Sequence, residues 1–167
     1  MTIAEKFLAE LKQEAATTRK ILERVPFDKP DWKPHEKSMP LAHLATHVAE
    51  IPFWLETTVT TDELDFAKSE YKIEDAKTNE ELLSKFDKSV KKAEDALKGC
   101  SDNDMKKGWT LKNGDTVYFT LCKEEVIRGM SLNHLIHHRA QLGVYLRLLD
   151  IPLPGVYGPT ADDKMGM

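Results

Sequence analysis

Cysteine is scarce in this sequence, and it forms no recognisable pattern. The 167 residues include two cysteines, Cys100 and Cys122, which belong to no CxxC pair and to no disulfide framework. This absence excludes a disulfide-stabilised secreted scaffold. We therefore expect the protein to work in a reducing compartment.

Long apolar runs and an excess of positive charge are also missing. The apolar stretches are far shorter than the roughly 18 residues that a membrane-spanning helix needs. The first residues enter an amphipathic pattern without a signal-like run, so we expect a cytoplasmic protein with no membrane partner. Lys and Arg total 24 against 28 Asp and Glu, which argues against a nucleic-acid partner. A phosphate loop and a dinucleotide fingerprint are absent too, so the sequence does not identify a substrate.

The remaining composition is that of an ordinary globular protein. Hydrophobic residues make up 41% of the chain and charged residues 31%. A chain of this length buries roughly 70% of its unfolded surface, so it needs neither disulfides nor metal to fold. The length predicts a single domain over residues 1–167.

The first helix is predicted from its cap. Thr2 and Glu5 have the spacing of a capping box, and apolar residues then recur at helical spacing. Pro26 ends this helix, and the proline-containing residues 27–37 form an extended connection.

The second helix is predicted to start near Ser38 and to carry an apolar face through residue 55. Pro52 interrupts it, so we expect a kink or break near Ala49. Residues 57–78 have little periodicity and predict a loop, with a helical turn near Glu63.

The second half of the chain predicts two more helices and a hairpin. Thr78 and Glu81 form a second capping box, and the apolar face that follows stops at Gly99. Residues 112–115, Lys-Asn-Gly-Asp, separate two β-type runs and predict a hairpin turn. A long helix is predicted over residues 121–149. The predicted fold class is therefore all-α, a four-helix bundle with a small β-hairpin before the last helix.

Three of the six histidines lie in five residues of this last helix. His134 and His138 are spaced i, i+4, which places them about 40° apart on one helix face. His137 falls at the edge of that face. The surrounding apolar arc of the helical wheel consists of Ile127, Met130, Leu142, Tyr145, Leu148 and Leu149. Buried imidazoles need partners, so the pair is either a hydrogen-bonded core pair or a pair of metal ligands.

The second helix offers a third nitrogen. His47 lies on the inward side of its apolar arc, and His43 lies close to the solvent margin. Three histidines from two packed helices would leave positions for water or substrate, as catalytic metal centres do. His43 is a possible fourth ligand, a group supporting the ligands, or a boundary residue.

Two motifs resemble the DinB/YfiT-like superfamily. His47, Glu50 and Trp54 match its HxxE…W second helix, and residues 134–142 match its last-helix pattern of a histidine followed four residues later by His-Arg-Gly-Gln-Leu. The C-terminal residues 146–162 are similar to that family's ending. The resemblance covers the whole chain, and its last third is the specific part.

The resemblance implies a four-helix bundle, usually a homodimer, with three histidines on a divalent metal such as nickel or zinc. By position the ligands would be His47, His134 and His138. Ala140 stands where the family often has glycine, a small change. Some members are transferases or isomerases that use a low-molecular-weight thiol, and many have no assigned activity.

The first hypothesis is a metal-dependent enzyme, a thiol-dependent S-transferase or a hydrolase acting on a small molecule. Gln141 is a candidate for orienting a ligand, and Trp54 and Tyr145 are candidate pocket walls. A lowered pKa is possible for Cys122 at the helix start, but its direction is about 120° from the histidines, so we interpret it as a packing residue. Arg139 points away from the histidines, which suits an interface or the surface.

Two other hypotheses stay open. A closed fourth ligand such as His43 would make the metal structural in a non-catalytic binding protein. Without metal, the histidines would be core residues of a dimerising bundle. The last helix carries a second apolar line at Leu132, Leu135 and Ile136, which predicts burial either inside the bundle or against a second subunit.

Overall fold

Helices make up most of the structure, and a small sheet lies before the last helical stretch. The computed structural model describes residues 1–69, 72 and 74–164. Within them no helix is long and apolar enough to cross a membrane. In chain order the elements are α1 (Ile3–Leu22), α2 (Leu41–Glu50), α3 (Pro52–Thr60), β1 (Glu63–Asp65), α4 (Asn79–Leu97), α5 (Asp102–Met105), β2 (Gly108–Asn113), β3 (Thr116–Cys122), α6 (Lys123–Val126), a π-helical segment (Ile127–Asn133) and α7 (His134–Leu148).

The capping box predicted for α1 is present, and α4 has the Thr78 half of the one predicted there, because the Glu81 carboxylate accepts from the N–H of Lys77 and not from that of Thr78. The Thr2 hydroxyl accepts a hydrogen bond from the backbone N–H of Glu5, and the Glu5 carboxylate accepts one from the N–H of Thr2. At the start of α4 the Thr78 hydroxyl accepts from the N–H of Glu81. These bonds satisfy N–H groups that have no partner within the helix, so both helices begin where the sequence predicts.

Pro52 breaks the second helix into two. α2 ends at Glu50, and α3 starts with Pro52 in its first turn, where the missing N–H costs no helical hydrogen bond. The break therefore lies nearer to Pro52 than the predicted position at Ala49. α3 also continues to Thr60, so the predicted loop from residue 57 was wrong in its first residues.

The sheet has a third strand that the sequence did not predict. β1 pairs in parallel with β2, and β2 pairs antiparallel with β3 as the predicted hairpin. The helical turn expected near Glu63 is therefore wrong, because Glu63 lies in β1. Of the predicted loop, Glu70, Tyr71 and Ile73 lie outside the described residues.

Asp65 joins β1 to the hairpin. Its carboxylate accepts hydrogen bonds from the backbone N–H groups of Gly114, at 2.8 Å, and Ala67, at 3.0 Å. Gly114 has a φ of +59°, a conformation that glycine adopts without strain. The turn predicted from residues 112–115 is therefore tied to a strand almost fifty residues earlier.

The last helical stretch consists of α6, the π-helical segment and α7, which follow one another without a gap. It starts at Lys123, two residues later than predicted, because Leu121 and Cys122 belong to β3. The π-helical segment changes the angular register before α7. Leu148, which the wheel placed in the apolar arc, has 57% of its surface exposed, so that assignment was wrong.

The core lies between α4 and the helices around it. α4 packs against α1, α2 and α3, while α7 packs against α1 and α2. Leu132 and Leu135 are buried within the single chain, whereas Ile136, the third residue of the second apolar line, is partly buried and lines a surface groove. Burial inside the subunit therefore accounts for two of the three residues, and burial against a second subunit stays a prediction for Ile136.

Arg139 is buried, in contrast to the predicted surface or interface position. Its guanidinium lies 2.7 Å from the Glu14 carboxylate, and the two side chains are 3% and 6% exposed. The guanidinium also donates to Thr18 and to the Tyr157 hydroxyl, which itself donates to Glu14. Arg139 does point away from the histidines, but α1 covers that side of α7.

Candidate metal centre

Three imidazoles converge between α2 and α7. His47 comes from α2, while His134 and His138 occupy the first turns of α7. One ring nitrogen of each lies within 4.8 Å of the other two, and the Nε2 atoms of His47 and His134 are 3.2 Å apart. All three side chains are partly buried. Among the described residues, these are the ones positioned to share an ion.

Hydrogen bonds fix which nitrogen of each α7 histidine is available. Nδ1 of His138 lies 2.7 Å from Oε1 of Gln141, and Nδ1 of His134 lies 3.2 Å from the carbonyl oxygen of Met130. Both oxygens can only accept, so each Nδ1 carries a proton. In the neutral rings, Nε2 therefore keeps a free lone pair, which is the arrangement a metal ligand needs.

The π-helical segment helps to supply the carbonyl for His134. The backbone N–H of His134 donates to Ser131, while the carbonyl of Met130, one residue earlier, accepts from the His134 ring. π-Helical turns are frequent at functional sites. Here the segment ends immediately before the first α7 histidine.

The environment keeps the three rings neutral. Burial, together with the smaller repulsion from His138, His134 and His43, lowers the pKa of His47 to about 4. Burial also lowers the pKa of His134, against the opposing effect of its bond to the Met130 carbonyl. The pKa of His138 is lowered mainly by burial as well, and Gln141 opposes that shift. Neutral imidazole is the form that binds a metal.

A cavity of about 280 Å³ opens beside the cluster. His47 belongs both to the cluster and to the cavity wall, and Trp54 also lines this wall. The remaining described lining residues are Glu50, Ile51, Phe53, Leu64, Phe66 and Ser69. The cavity therefore meets the histidine cluster at His47.

The other candidates from the sequence lie in different surroundings. Gln141 forms a hydrogen bond with His138, and its role as a group that orients a ligand stays a prediction. His43 pairs with Asp75 at 2.8 Å and does not belong to the three-histidine group. Tyr145 packs against Trp32 and donates to the carbonyl of Met39, outside the described cavity wall.

Cys122 does not have the lowered pKa that its position near a helix start allowed. Burial raises the pKa of its thiol, and a hydrogen bond from the thiol to the Glu125 carboxylate, at 3.0 Å, also raises it. The residue ends β3 and caps α6. A thiolate nucleophile from this chain is therefore not favoured at Cys122.

Sequence reasoning missed part of the site. Phe66 and Leu64 line the cavity but come from the stretch predicted as a loop, which offered no periodic signal. The carbonyl of Met130 is a backbone group, so the residue type at this position does not indicate its bond to His134. Glu50 was visible in the HxxE motif, three residues after His47, and that spacing was the available signal.

The donor set fits a divalent metal ion. Two imidazole nitrogens on one zinc at about 2.0–2.1 Å are separated by about 3.3 Å, close to the 3.2 Å between the Nε2 atoms of His47 and His134. Imidazole suits zinc, nickel, copper and iron. The fold and the cluster thus define a mostly helical protein with a three-histidine site that is compatible with metal binding.

The chain belongs to the DinB family, as the resemblance predicted. The DinB family model matches residues 1–165. A DinB-like protein from Bacillus cereus has a similar fold, with a TM-score of 0.70, 22% identity and coverage of 92% of this chain and 97% of that one. A DinB-like protein from Bacillus subtilis gives a TM-score of 0.68 at 16% identity, covering 87% and 92%. Among curated proteins, none matches this chain.

Proposed function

We propose that this protein is a divalent-metal-dependent enzyme of the thiol S-transferase or hydrolase class. The observation that carries the proposal is the convergence of three neutral ring nitrogens, from His47, His134 and His138, beside a cavity. Nickel and zinc both suit the three imidazoles. The four-helix bundle implied by the resemblance is part of this proposal. Its four helices would be α1, α2 with α3, α4, and the stretch from α6 to α7.

The chemistry would divide between the ion and the side chains. When bound, a divalent metal lowers the pKa of a coordinated water or low-molecular-weight thiol and holds it as an anion at neutral pH. Gln141 and the Met130 carbonyl hold the Nδ1 protons of the two α7 histidines, which directs both Nε2 atoms to the same point. Trp54 would provide an apolar wall for a molecule bound in the cavity.

A non-catalytic protein with a structural ion is the alternative. A structural site usually has a fourth protein ligand. His43, the candidate from the sequence, bonds to Asp75 instead, and this favours an open site. The two functions are separated by whether an added thiol reaches the metal.

Metal analysis of protein purified without a polyhistidine tag tests the proposal. We expect about one nickel or zinc ion per chain, and loss of stoichiometric binding in His47→Ala, His134→Ala and His138→Ala. His137→Ala is the matched control, because this histidine is exposed on the same helix. Cobalt-loaded protein should change its visible spectrum on addition of 2-mercaptoethanol. Parent-like metal content in the three variants would contradict the assignment.

We also propose that the protein forms a homodimer through the exposed face of α7. Val144 and Leu148 are 58% and 57% exposed and line an apolar groove of about 510 Å³ beside the C-terminal segment. Exposed apolar patches of this kind mark association surfaces. Light scattering should give twice the mass of the chain for the parent and for Val117→Glu, an exposed valine on β3, and the mass of one chain for Val144→Glu. A monomeric parent would refute the dimer.

A further inference from the structure

The cavity beside His47 is small and largely lined with rings and aliphatic side chains. Its volume of about 280 Å³ lies just below the roughly 300–1,000 Å³ of sites for drug-sized ligands. An apolar cavity of about 150 Å³ already holds benzene. There is room here for one six-membered ring and a short head group.

We propose that the substrate is a small neutral molecule built on one aromatic ring, held against Trp54 and Phe66 with its reactive head group at His47. This inference rests on the proposed function, because the head group is the part that the metal would engage. It adds the chemical class of the substrate, which the histidine cluster alone does not indicate.

The arrangement of the two aromatic walls favours a ring. The side chains of Trp54, on α3, and Phe66, directly after β1, contact each other with centroids 6.3 Å apart and planes at 74°. This is an edge-to-face pair, and a third ring can join it in the same geometry. Ile51 and Leu64 provide aliphatic surface in the same cavity.

The charge around the cavity favours a neutral molecule. Among the described residues that line the cavity, Glu50 is the one with a formal charge. The Lys85 ammonium lies 3.3 Å from the Glu50 carboxylate. Their side chains are 15% and 27% exposed. Because the pair balances its own charge in a partly desolvated setting, a ring with an additional charge would lose hydration without gaining a free counter-charge.

Phe66 is the exposed part of the aromatic cavity wall. It is 42% exposed, so it lies at the mouth of the cavity and not in the core. A substitution at Phe66 should therefore change the cavity without unfolding the protein. This makes it the more useful of the two aromatic residues for a test.

Three hydroxamates with the same metal-binding head test the inference on cobalt-loaded, full-length protein. Benzohydroxamate carries an aromatic ring, cyclohexanecarbohydroxamate a saturated ring of similar size, and acetohydroxamate a methyl group. We expect benzohydroxamate to bind about tenfold more tightly than acetohydroxamate, because its ring leaves water. It should bind about threefold more tightly than the cyclohexane compound, because of the aromatic walls. The change in the cobalt absorption spectrum measures each dissociation constant.

Variants assign the effect to the cavity wall. Phe66→Leu keeps apolar bulk but removes the ring, and it should erase the threefold preference for benzohydroxamate over the cyclohexane compound. Val117→Ala is the control, because Val117 is exposed on the same sheet and is not part of the described cavity wall. It should keep the preference. Cobalt content and far-ultraviolet circular dichroism verify that both variants are folded and loaded.

The outcomes separate this inference from the proposed function. Equal binding of benzohydroxamate and acetohydroxamate would overturn the aromatic substrate while leaving an open metal site. Binding of the cyclohexane compound as tight as that of benzohydroxamate would also overturn it. If the spectrum of cobalt-loaded protein responds to none of the three compounds, the open site is refuted. If the protein does not take up cobalt, the metal centre is refuted. Either result would also overturn the aromatic substrate.

Discussion

The Nδ1 atom of His138 lies 2.7 Å from Oε1 of Gln141, a side chain three residues further along the same helix. The bond fixes both the orientation of the imidazole and the position of its proton. Gln141 is itself exposed, so the orienting group lies at the solvent side of the cluster. A polar surface residue thereby determines the direction of a nitrogen that points inward.

Removal of this group should weaken metal binding. We expect Gln141→Ala to lower the affinity for zinc or nickel about tenfold, because groups that orient ligating histidines contribute on this scale. Competition with a chromophoric chelator measures the change. Gln13→Ala, an exposed glutamine on α1, is the matched control and should bind like the parent. An unchanged affinity in Gln141→Ala would mean that the bond does not position the ligand.

The stability of the metal-free protein should fall as the pH is lowered from about 6.5 towards 4. The pKa of His47 is lowered to about 4 in the folded chain, whereas an unfolded histidine has its usual pKa of about 6.5. Between these values the unfolded chain binds more protons, so acid favours unfolding. Urea denaturation at pH 7 and pH 5 checks this.

A variant comparison assigns that pH dependence to the cluster. His47→Gln should reduce the loss of stability between pH 7 and pH 5. His35→Gln, which replaces an exposed histidine in the connection before α2, should leave the parent's pH dependence intact. The assignment fails if the two variants respond alike.

The buried pair of Arg139 and Glu14 should be costly to break. We expect Arg139→Ala to destabilise the protein by about 3–5 kcal/mol, because it leaves the Glu14 carboxylate buried without its counter-charge. Replacing both residues, in Arg139→Met with Glu14→Leu, should recover most of this loss. Arg19→Ala, at an exposed pair with Asp87, should cost no more than about 1 kcal/mol. Urea denaturation at neutral pH measures all three, and similar losses in Arg139→Ala and Arg19→Ala would contradict the prediction.

Asp65 should matter more than its short strand suggests. Asp65→Ala removes the acceptor for the N–H groups of Gly114 and Ala67, and we expect a lower free energy of unfolding than that of the parent. Asp115→Ala changes an exposed aspartate in the same turn and should be close to neutral. Thermal or urea unfolding of both variants decides the matter. Equal stabilities would show that the two bonds contribute nothing net.

Local signals in the sequence were sufficient for the helix starts and the hairpin. A cap or a tight turn involves residues only a few positions apart, so it can be predicted from a short motif. This holds for the caps at Thr2 and Thr78 and for the turn at Gly114. The convergence of His47 with the α7 histidines was predicted from the apolar faces of α2 and α7, on which these histidines lie.

The features that the sequence did not reveal depend on distant partners. Three residues of β1 are too few for a strand period, and their pairing with β2 is decided by a segment more than forty residues away. Arg139 is buried because Glu14 lies opposite it, and nothing near Arg139 in the sequence indicates that. The π-helical segment was not predicted, because a helical wheel assumes a constant angle per residue.

The π-helical segment has a consequence for aligning this chain with its relatives. Its hydrogen bonds span five residues where an α-helix spans four, so the segment accommodates a residue that an ordinary helix would not. A relative with a plain α-helix in this stretch could direct its histidines equally well with one residue fewer. A single-residue gap just before His134 is therefore compatible with an intact three-histidine cluster, whereas a gap between His134 and His138 would place these two histidines on different faces.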